Sequence, residues 1–356
     1  VIGILDDAFF RYVADLGMGG PDKGKGGRYL IVGPDYEGEI PDGYFVFRTR
    51  TYRHWLLIRV VSQPGQTREA IGDFKRSFRL YPLEEAGDPR PNTFVDLSSR
   101  QYSTIHAADA ELFAELNAVI QYEPAESYDP ELAGLAAAIG IKKGEPFAPD
   151  ARMQKILEEA ATIGNAAARS ITFRPRDRSV FFYEDRQWYS PLAGGSHEFY
   201  HQGARVLDDR IMFHFYATGV TPFMVSPRVG AGSVYEIGAS DVNGDPLDGG
   251  RSYSVTLPAP IPAKDFWSFM VYDNQTRSIL ETDQLTGGLD SNSEGLVLEP
   301  DGSAIVYFGP EPPPGKAGNW VQTMPKKGFN VLLRLYGPLE PWFDKSWRPS
   351  DFQPLD

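Results

Sequence analysis

The sequence predicts a mainly β protein with a helical insert, in which a helical domain separates two sheet regions. Many short strands are indicated by 36 glycines and 29 prolines, which favour turns, and by 22 Phe and 18 Tyr, which favour sheet. An Ala-, Leu- and Glu-rich composition with helical spacing is confined to residues 107–170. We therefore predict a β-sandwich domain at residues 1–100, a helical domain at 101–175 and a second β-sandwich domain at 176–356.

The first hundred residues contain segments of alternating or continuous apolar side chains, as expected of short strands. These segments lie at residues 7–15, 29–32, 43–50 and 52–61. His54 lies in the last of them beside Trp55, and we interpret it as a structural histidine that is satisfied within the fold. Apolar residues then recur every three or four positions between residues 66 and 80, which predicts a helix that closes the domain.

The helical segment carries recognisable helix starts. Asp129 followed by Pro130 is typical of an N-cap and a first helical position, and predicts a helix over residues 130–139. A similar start follows Pro149, and residues 109–120 carry an apolar stripe at helical spacing. These helices predict a small unit with its own core.

The region beyond residue 175 predicts a second sandwich, because short strands alternate with turn residues. The predicted strands are residues 178–184, 232–239, 251–257, 266–272, 303–308 and 330–336. The strand at 266–272 is apolar on both faces, which is typical of a central strand that is covered on each side. A long helix is predicted near residues 196–218, where apolar residues fall at core spacing.

Composition argues against several classes of function. The 35 Lys and Arg against 48 Asp and Glu give a net charge of −13, which disfavours nucleic acid and anionic membranes as partners. No apolar run approaches the roughly 18 residues that a spanning helix needs, so we predict a soluble protein without a membrane span. The chain has no Cys, which excludes disulfides, thiolate metal sites and a cysteine nucleophile.

A zinc site is one possible interpretation of His197 and His201, which are separated by four positions with Glu198 between them. Two His at this spacing on a helix can bind one Zn²⁺, with the glutamate as general base and His214 as a third ligand. The alternative is a helix surface that carries two His without a metal, and Gly203 weakens the helix. We predict no metal at these residues.

A calcium site is a second possible interpretation, for the stretch that begins at Asp241 and ends at Asp248. This stretch places carboxylate or amide oxygens at its first, third, fifth and eighth positions around a glycine. A calcium loop closes with Glu at position 12, where this chain has Ser252. Because Asp, Asn, Gly and Pro also build hairpin turns, we interpret the stretch as a turn. The sequence requires no cofactor.

The sequence favours a ligand site built from polar residues at the ends of apolar strands. Segments 273–278 and 318–323 place amides and hydroxyls there, and Arg277 offers the planar fork that suits a carboxylate or phosphate. The predicted ligand-binding residues are Asp273, Asn274, Thr276, Arg277, Asn319, Trp320, Gln322 and Arg334. The alternative is that Arg277, Asn319 and Gln322 only satisfy loop backbone groups. No GxSxG motif occurs, and the catalytic residues are unknown.

Several long segments resemble a bacterial combination of two domains. Domain of unknown function 1214 resembles the segments DFWSFMVYDNQTRSILETDQ and NWVQTMPKKGFNVLLRLYGPLEPWFDKSWRP. Domain of unknown function 1254, its usual N-terminal partner, is similar to FFRYVADLGMGGPDKGKGGRYLIVGPDYEGEIPDGYFVFRTRTYRHWLLIRV and FKRSFRLYPL. The resemblance implies an N-terminal β-sandwich, a small helical domain and a jelly-roll-like C-terminal β-sandwich. Because the N-terminal domain of such proteins usually begins well before the residues that match Val1, we expect the first sandwich to be incomplete.

The resemblance also implies export and assembly into oligomers, but no agreed activity. We therefore predict a periplasmic or secreted homo-oligomer that binds a small organic, anionic ligand in a polar-rimmed pocket. The sequence leaves open whether the protein is an enzyme. One alternative is a non-catalytic structural or assembly protein. The other is a zinc-dependent hydrolase that uses His197, Glu198 and His201.

Overall fold

The computed structural model describes residues 1–62, 65–100, 105–192 and 195–355. This part of the chain is mainly β, with sheets near both termini and helices concentrated in the middle, as predicted. It forms two compact units. The first comprises Val1–Asn165 with Thr218–Phe223, and the second comprises Ala166–Ala217 with Met224–Asp356. Most of the helical segment thus shares a unit with the N-terminal strands, and the division into three domains stays a prediction.

The first unit contains a three-stranded antiparallel sheet and a two-stranded parallel pair. Its strands are β1 (Ile2–Asp7), β2 (Tyr12–Gly17), β3 (Tyr29–Val32), β4 (Phe45–Arg48) and β5 (His54–Arg59). Strand β1 lies between β2 and β5, whereas β3 pairs with β4. These strands confirm the predictions at residues 29–32, 43–50 and 52–61.

The strand predicted at residues 7–15 is interrupted by the turn between β1 and β2. Asp7 Oδ1 accepts hydrogen bonds from the amides of Phe9 and Arg11 at 2.8 and 3.0 Å. Phe10 has a φ of 55°, in the left-handed region. Side chain-to-backbone bonds therefore end one strand and begin the next, which side-chain alternation does not reveal.

Four α-helices follow these strands and confirm the helices predicted between residues 66 and 170. They are α1 (Thr67–Ser77), α2 (Glu111–Tyr122), α3 (Pro130–Ala138) and α4 (Ala151–Phe173). Helix α3 begins as predicted, because the Asp129 carboxylate accepts from the Glu131 amide at 2.8 Å. Asp150 accepts from the Met153 amide at 2.7 Å at the start of α4. Ile120, Ala136 and Ile141 form the buried core of this segment.

The second unit is a jelly-roll-like sandwich of two four-stranded sheets, as predicted. Its strands are β6 (Tyr200–His201), β7 (Ala204–Arg205), β8 (Ser233–Gly238), β9 (Tyr253–Leu257), β10 (Ala263–Asp273), β11 (Gly288–Asp290), β12 (Ala304–Gly309), β13 (Trp320–Gln322), β14 (Phe329–Pro338) and β15 (Gln353–Pro354). Helix α5 (Leu207–Tyr216) precedes β8, and α6 (Glu340–Phe343) follows β14. The sheet orders are β11-β10-β14-β8 and β13-β12-β9-β15.

The two sheets bury an aromatic core between them. Trp267, Phe269 and Val271 of β10 belong to this core, together with Tyr253 and Phe308 of the opposite sheet. The rings of Phe269 and Phe308 meet edge to face, with centroids 5.5 Å apart. Strand β10 pairs with β11 on one side and β14 on the other, so residues 266–272 form a central strand as predicted.

The long helix predicted near residues 196–218 is wrong in its first half. Strands β6 and β7 form a hairpin there, and α5 begins only at Leu207. Gln202 and Gly203 turn the hairpin at φ values of 48° and 83°, a conformation that glycine adopts at little cost. The strand predicted at 178–184 instead begins with the 3₁₀ turn Arg178–Val180.

Within the described ranges, no helix combines the length and the apolarity that crossing a bilayer requires.

Candidate functional site

The β11-β10-β14-β8 sheet turns one face away from the sandwich core, and this face holds a cation among aromatic rings. Cross-strand register places Arg334 of β14 between Ser268 of β10 and Tyr235 of β8. The adjacent row pairs Phe266 with Tyr336, whose rings stack with centroids 4.0 Å apart. We call the surface formed by these five residues the Arg334 face.

Packing differs along this side of the sheet. Leu332 and Ile237 are buried in a cluster with Met212 of α5 and with Val180. Around Arg334 the side chains, apart from the buried Ser268, are only partly buried. The Arg334 face is therefore the part of this surface that solvent and small molecules can reach.

A hydroxyl group and an aromatic ring hold the guanidinium of Arg334. Its Nη2 donates to Tyr272 Oη at 2.5 Å, and its Cζ lies 5.8 Å from the ring centroid of Tyr235. Burial acts to lower the pKa of Arg334, but Tyr272 and Tyr336 raise it, and the net shift is upward. The guanidinium therefore keeps its charge at physiological pH.

Arg334 has no counter-ion in the part of the chain that the structure describes. Its Nε is buried and lacks a hydrogen-bond partner among the same residues. Asp290 pairs with Ser268 and so lies two strands away from Arg334, and its Oδ1 accepts from the Asn292 amide at 2.7 Å. An anion placed on Arg334 would therefore gain a charge-assisted pair that the chain itself does not supply.

Tyr272 connects Arg334 to a second predicted site residue. The rings of Tyr272 and Tyr216 lie 5.9 Å apart, and the Tyr216 hydroxyl donates to Asn330 Oδ1 at 2.8 Å. Asn330 Nδ2 in turn donates to Asn274 Oδ1 at 2.7 Å. Burial raises the pKa of Tyr272, although Arg334 lowers it, so the phenol is neutral. Because its oxygen accepts from Arg334, its proton is available to a ligand.

Asp273 and Thr276 build the turn that follows β10. Asp273 Oδ1 accepts from the Gln275 amide at 2.6 Å, and Oδ2 forms an ion pair with Lys327. Thr276 Oγ1 accepts from the Ser278 amide at 3.4 Å. These contacts are those of a side chain-stabilised turn.

Arg277 lies in the same turn and contacts helix α5. Its Nη1 donates to the carbonyl of Phe215 at 3.3 Å, and its Cζ lies 4.3 Å from the Phe215 ring centroid. Burial lowers the pKa of Arg277, and the charge of Arg169 adds to this effect. Among the described residues, Arg277 forms neither a hydrogen bond with Asn319 nor one with Gln322.

Asn319, Trp320 and Gln322 lie on or beside β13, in the other sheet. The Asn319 side chain is 4% exposed and bonds to backbone groups of Val297 and Ile305 at 2.8–2.9 Å. Trp320 Nε1 donates to a backbone carbonyl at 2.9 Å, and Gln322 Oε1 accepts from a backbone amide at 3.0 Å. Of the eight predicted residues, the structure thus brings Arg334 and Asn274 into one network and leaves these three apart.

The zinc geometry considered for His197 and His201 requires a helix, and the chain is not helical there. His201 lies on β6, and His197 lies in the turn before it. In the described ranges, no group of three or more His, Cys, Asp or Glu is placed to hold a metal ion.

Asp241 and Asp248, at the two ends of the possible calcium stretch, stabilise turns by accepting hydrogen bonds from backbone amides. Asp241 Oδ1 accepts from the amides of Asn243 and Asp245 at 2.8 and 3.1 Å. Asp248 Oδ1 accepts from the Gly250 amide at 2.8 Å. The stretch is a turn, as interpreted from its sequence.

A cavity of about 170 Å³ in the first unit is lined by Asp7, His54, Trp55 and Glu123, among others. Both carboxylates already accept hydrogen bonds from backbone amides. Burial lowers the pKa of His54, and its Nε2 is buried without a partner among the described residues. The interpretation of His54 as fully satisfied is therefore wrong for this nitrogen.

Sequence reasoning missed Tyr235, Phe266, Ser268 and Tyr272 as members of the candidate site. A signal existed for two of them, because Ser268 and Tyr272 share a strand face whose opposite side carries only large apolar side chains. Polar groups on one face of an apolar strand indicate that this face is not simply core. Tyr235 carried no such signal, since its contact with Arg334 depends on the pairing of β8 with β14.

Two family models match the chain. Residues 1–82 match the family described as a protein of unknown function (DUF1254), and residues 232–340 match a protein of unknown function (DUF1214). All five residues of the Arg334 face lie within the second match. No curated protein matches the chain.

Solved structures of two uncharacterised bacterial proteins are among those similar to the chain. The VPA0106 protein from Vibrio parahaemolyticus has a TM-score of 0.53 and 16% identity, over 100% of this chain and 82% of its own. An uncharacterized protein from Burkholderia cenocepacia has a TM-score of 0.25 and 14% identity, over 68% of this chain and 49% of its own. The similarity to the Vibrio protein shows a shared fold. The similarity to the Burkholderia protein is too low to show one.

Proposed function

Because the chain combines a DUF1254 domain with a DUF1214 domain, and neither description gives an activity, we propose a function from the Arg334 face: the protein binds a small organic anion there. The observation that carries the proposal is a half-buried guanidinium without a counter-ion among the described residues. The Tyr235 ring lies 5.8 Å from it, and the stacked Phe266–Tyr336 pair occupies the adjacent row of the sheet. The proposal is one of binding and assigns no catalytic residue.

The chemistry of the face suits a carboxylate joined to an apolar or aromatic body. One cation lies on the face, which matches the single charge of a carboxylate, and a guanidinium offers two parallel donors to its two oxygens. Tyr272 adds a neutral hydroxyl that can donate to the same group. The stacked Phe266–Tyr336 pair offers aromatic surface for the rest of the ligand.

Asn274 has an indirect role in this proposal. It holds Asn330, which accepts from Tyr216, and the Tyr216 ring lies against Tyr272. The side chain thus positions Tyr272 behind the ligand. A role in ligand binding stays a prediction for the other six residues, namely Asp273, Thr276, Arg277, Asn319, Trp320 and Gln322.

Export from the cell and assembly into a homo-oligomer belong to the same proposal. Both rest on the family resemblance. A small-ligand binder exported to the periplasm or medium is compatible with a net charge of −13.

The test is a calorimetric titration with benzoate and with its uncharged isostere benzamide. We expect wild type to bind benzoate more tightly than benzamide, because only the carboxylate pairs with Arg334. Arg334→Met removes the charge and both donors, so we expect it to weaken benzoate binding by about tenfold or more. Tyr272→Phe removes one hydroxyl and is expected to weaken it less.

Arg178→Met is the matched control. Arg178 also lies on an aromatic ring, 3.9 Å from the Phe181 centroid, but it is exposed and outside the Arg334 face. The control is expected to bind benzoate as wild type does. If neither benzoate nor an aliphatic carboxylate binds wild type, and Arg334→Met only lowers the melting temperature, Arg334 is structural. The non-catalytic structural protein would then be the better interpretation.

A further inference from the structure

A second cavity opens in the C-terminal sandwich, where β10 begins and the loop after β11 lies beside it. Its volume of about 460 Å³ is in the range of small-molecule sites. Apolar residues that continue the sandwich core line part of it, namely Ile261, Ala263, Trp267 and Leu296. Polar residues line another part, namely Asp265, Ser291, Asn292 and Ser293. The cavity therefore offers both an apolar contact surface and hydrogen-bonding groups.

Asp265 gives this cavity a negative charge that no lining residue balances, since the other described lining residues are uncharged. Its carboxylate is exposed and forms no ion pair within the described ranges. A Cβ atom at Gly337 would lie 2.9 Å from Asp265 Oδ2, so the glycine lets the carboxylate pack closely against the backbone. The carboxylate thus lies against the backbone of Gly337.

We infer that this cavity binds a small organic cation, an amine with an apolar or aromatic body. The carboxylate of Asp265 supplies the counter-charge, and the aromatic side chain of Trp267 can add a cation–π contact. The absence of Lys and Arg from the described lining disfavours anions. The inference is independent of the anion proposed for Arg334, since the two sites share only Phe266 and select opposite charges.

Benzylamine and benzyl alcohol test the inference, because they have similar shape and differ in charge at neutral pH. We expect wild type to bind benzylamine more tightly than benzyl alcohol in a calorimetric titration. Asp265→Asn is expected to weaken the binding of benzylamine by about fivefold, which is the effect of losing one exposed ion pair. The binding of benzyl alcohol is expected to stay unchanged. Asn292→Asp adds a second carboxylate to the cavity and is expected to tighten benzylamine binding.

Glu294→Gln is the control, because Glu294 is an exposed glutamate of the same loop that does not line the cavity. It is expected to bind benzylamine as wild type does. Arg334→Met should also leave benzylamine binding unchanged, so failure of one site is distinguishable from failure of the other. Equal binding of amine and alcohol by wild type would overturn the inference, as would benzylamine binding that survives Asp265→Asn.

Discussion

Glu236 is an acid that burial keeps partly protonated near neutral pH. It lies on β8 and is 1% exposed. Its Oε1 accepts from the Tyr183 hydroxyl at 2.8 Å and from Trp342 Nε1 at 2.7 Å, whereas Oε2 has no partner among the described residues. Burial raises the pKa of Glu236 to about 7, although both hydrogen bonds lower it. Folding therefore binds a proton at this side chain.

We expect Glu236→Gln to stabilise the protein at alkaline pH and not at acidic pH. The folded pKa of about 7 exceeds the ordinary value of 4.5, so the stability of wild type falls as pH rises between these values. Gln keeps the Oε1 acceptor and never ionises. In urea titrations, we expect the variant to match wild type near pH 5 and to exceed it near pH 8 by up to about 3 kcal/mol.

The exposed Glu311→Gln is the control and should not change this pH dependence. A Glu236→Gln variant that is equally destabilised at both pH values would contradict the argument. It would mean that packing, and not ionisation, decides the effect of this substitution.

The turn after β10 contacts helix α5 through Arg277. The Arg277 amide donates to the carbonyl of Asp273 at 2.8 Å, and Arg277 has a φ of 62°, a left-handed conformation that costs a non-glycine residue free energy. Its guanidinium binds the carbonyl of Phe215 in the last turn of α5. A cation at a helix C-terminus is favourable, so the contact offsets the strained backbone.

Two substitutions separate the contact from the strain. Arg277→Met removes the contact with α5 and keeps the strained backbone, so we expect its free energy of unfolding to fall by about 1 kcal/mol. Arg277→Gly removes both, and we expect it to be about 1 kcal/mol more stable than Arg277→Met. Urea unfolding of both variants and wild type measures these differences. Equal stability of the two variants would show that the left-handed conformation is not strained.

Across the whole molecule, buried acids and the net negative charge both lower the stability of the fold as the pH rises. Burial raises the pKa of Asp6, in the first unit, to about 7. In the second unit burial raises the pKa of Asp209 to about 6, and Asp177 and Asp208 add to the shift. With Glu236, these groups take up protons on folding at mildly acidic pH. Protonation there also reduces the repulsion that follows from a net charge of −13.

We expect the melting temperature to be highest near pH 5 and to fall toward pH 8. Groups whose folded pKa is raised stabilise the protein below their ordinary values of 3.8–4.5, and this stabilisation is lost as pH rises through 6–7. Asp273 acts in the opposite direction at low pH. Burial raises its pKa, but Lys327 and the backbone amides of Gln275 and Thr276 together lower it by more, so its stabilisation is lost only at lower pH.

Scanning calorimetry at constant ionic strength measures this profile. An Asp6→Asn, Glu236→Gln double variant should flatten it, since neither replacement ionises. A melting temperature that rises from pH 5 to pH 8 would be incompatible with the burial of these acids.

Local patterns in the sequence determined which elements this chain forms, and in what order. Asp129 and Pro130 predicted the start of α3, and the apolar residues 266–272 predicted a central strand, because capping and side-chain periodicity act over a few neighbouring residues. Where the pattern was ambiguous the prediction was wrong. The apolar spacing over 196–218 is compatible with a helix, but Gln202 and Gly203 turn a hairpin instead.

Only the tertiary structure decided which side chains meet. Arg334 and Tyr272 are 62 positions apart and bond because β10 pairs with β14 in one register, and a slip of one residue would send Arg334 to the opposite face. Asp265 and Ser291 likewise line one cavity only because the loop after β11 lies beside the start of β10. Cross-strand register and loop packing depend on contacts between distant segments, and neither is encoded in the spacing of neighbouring residues.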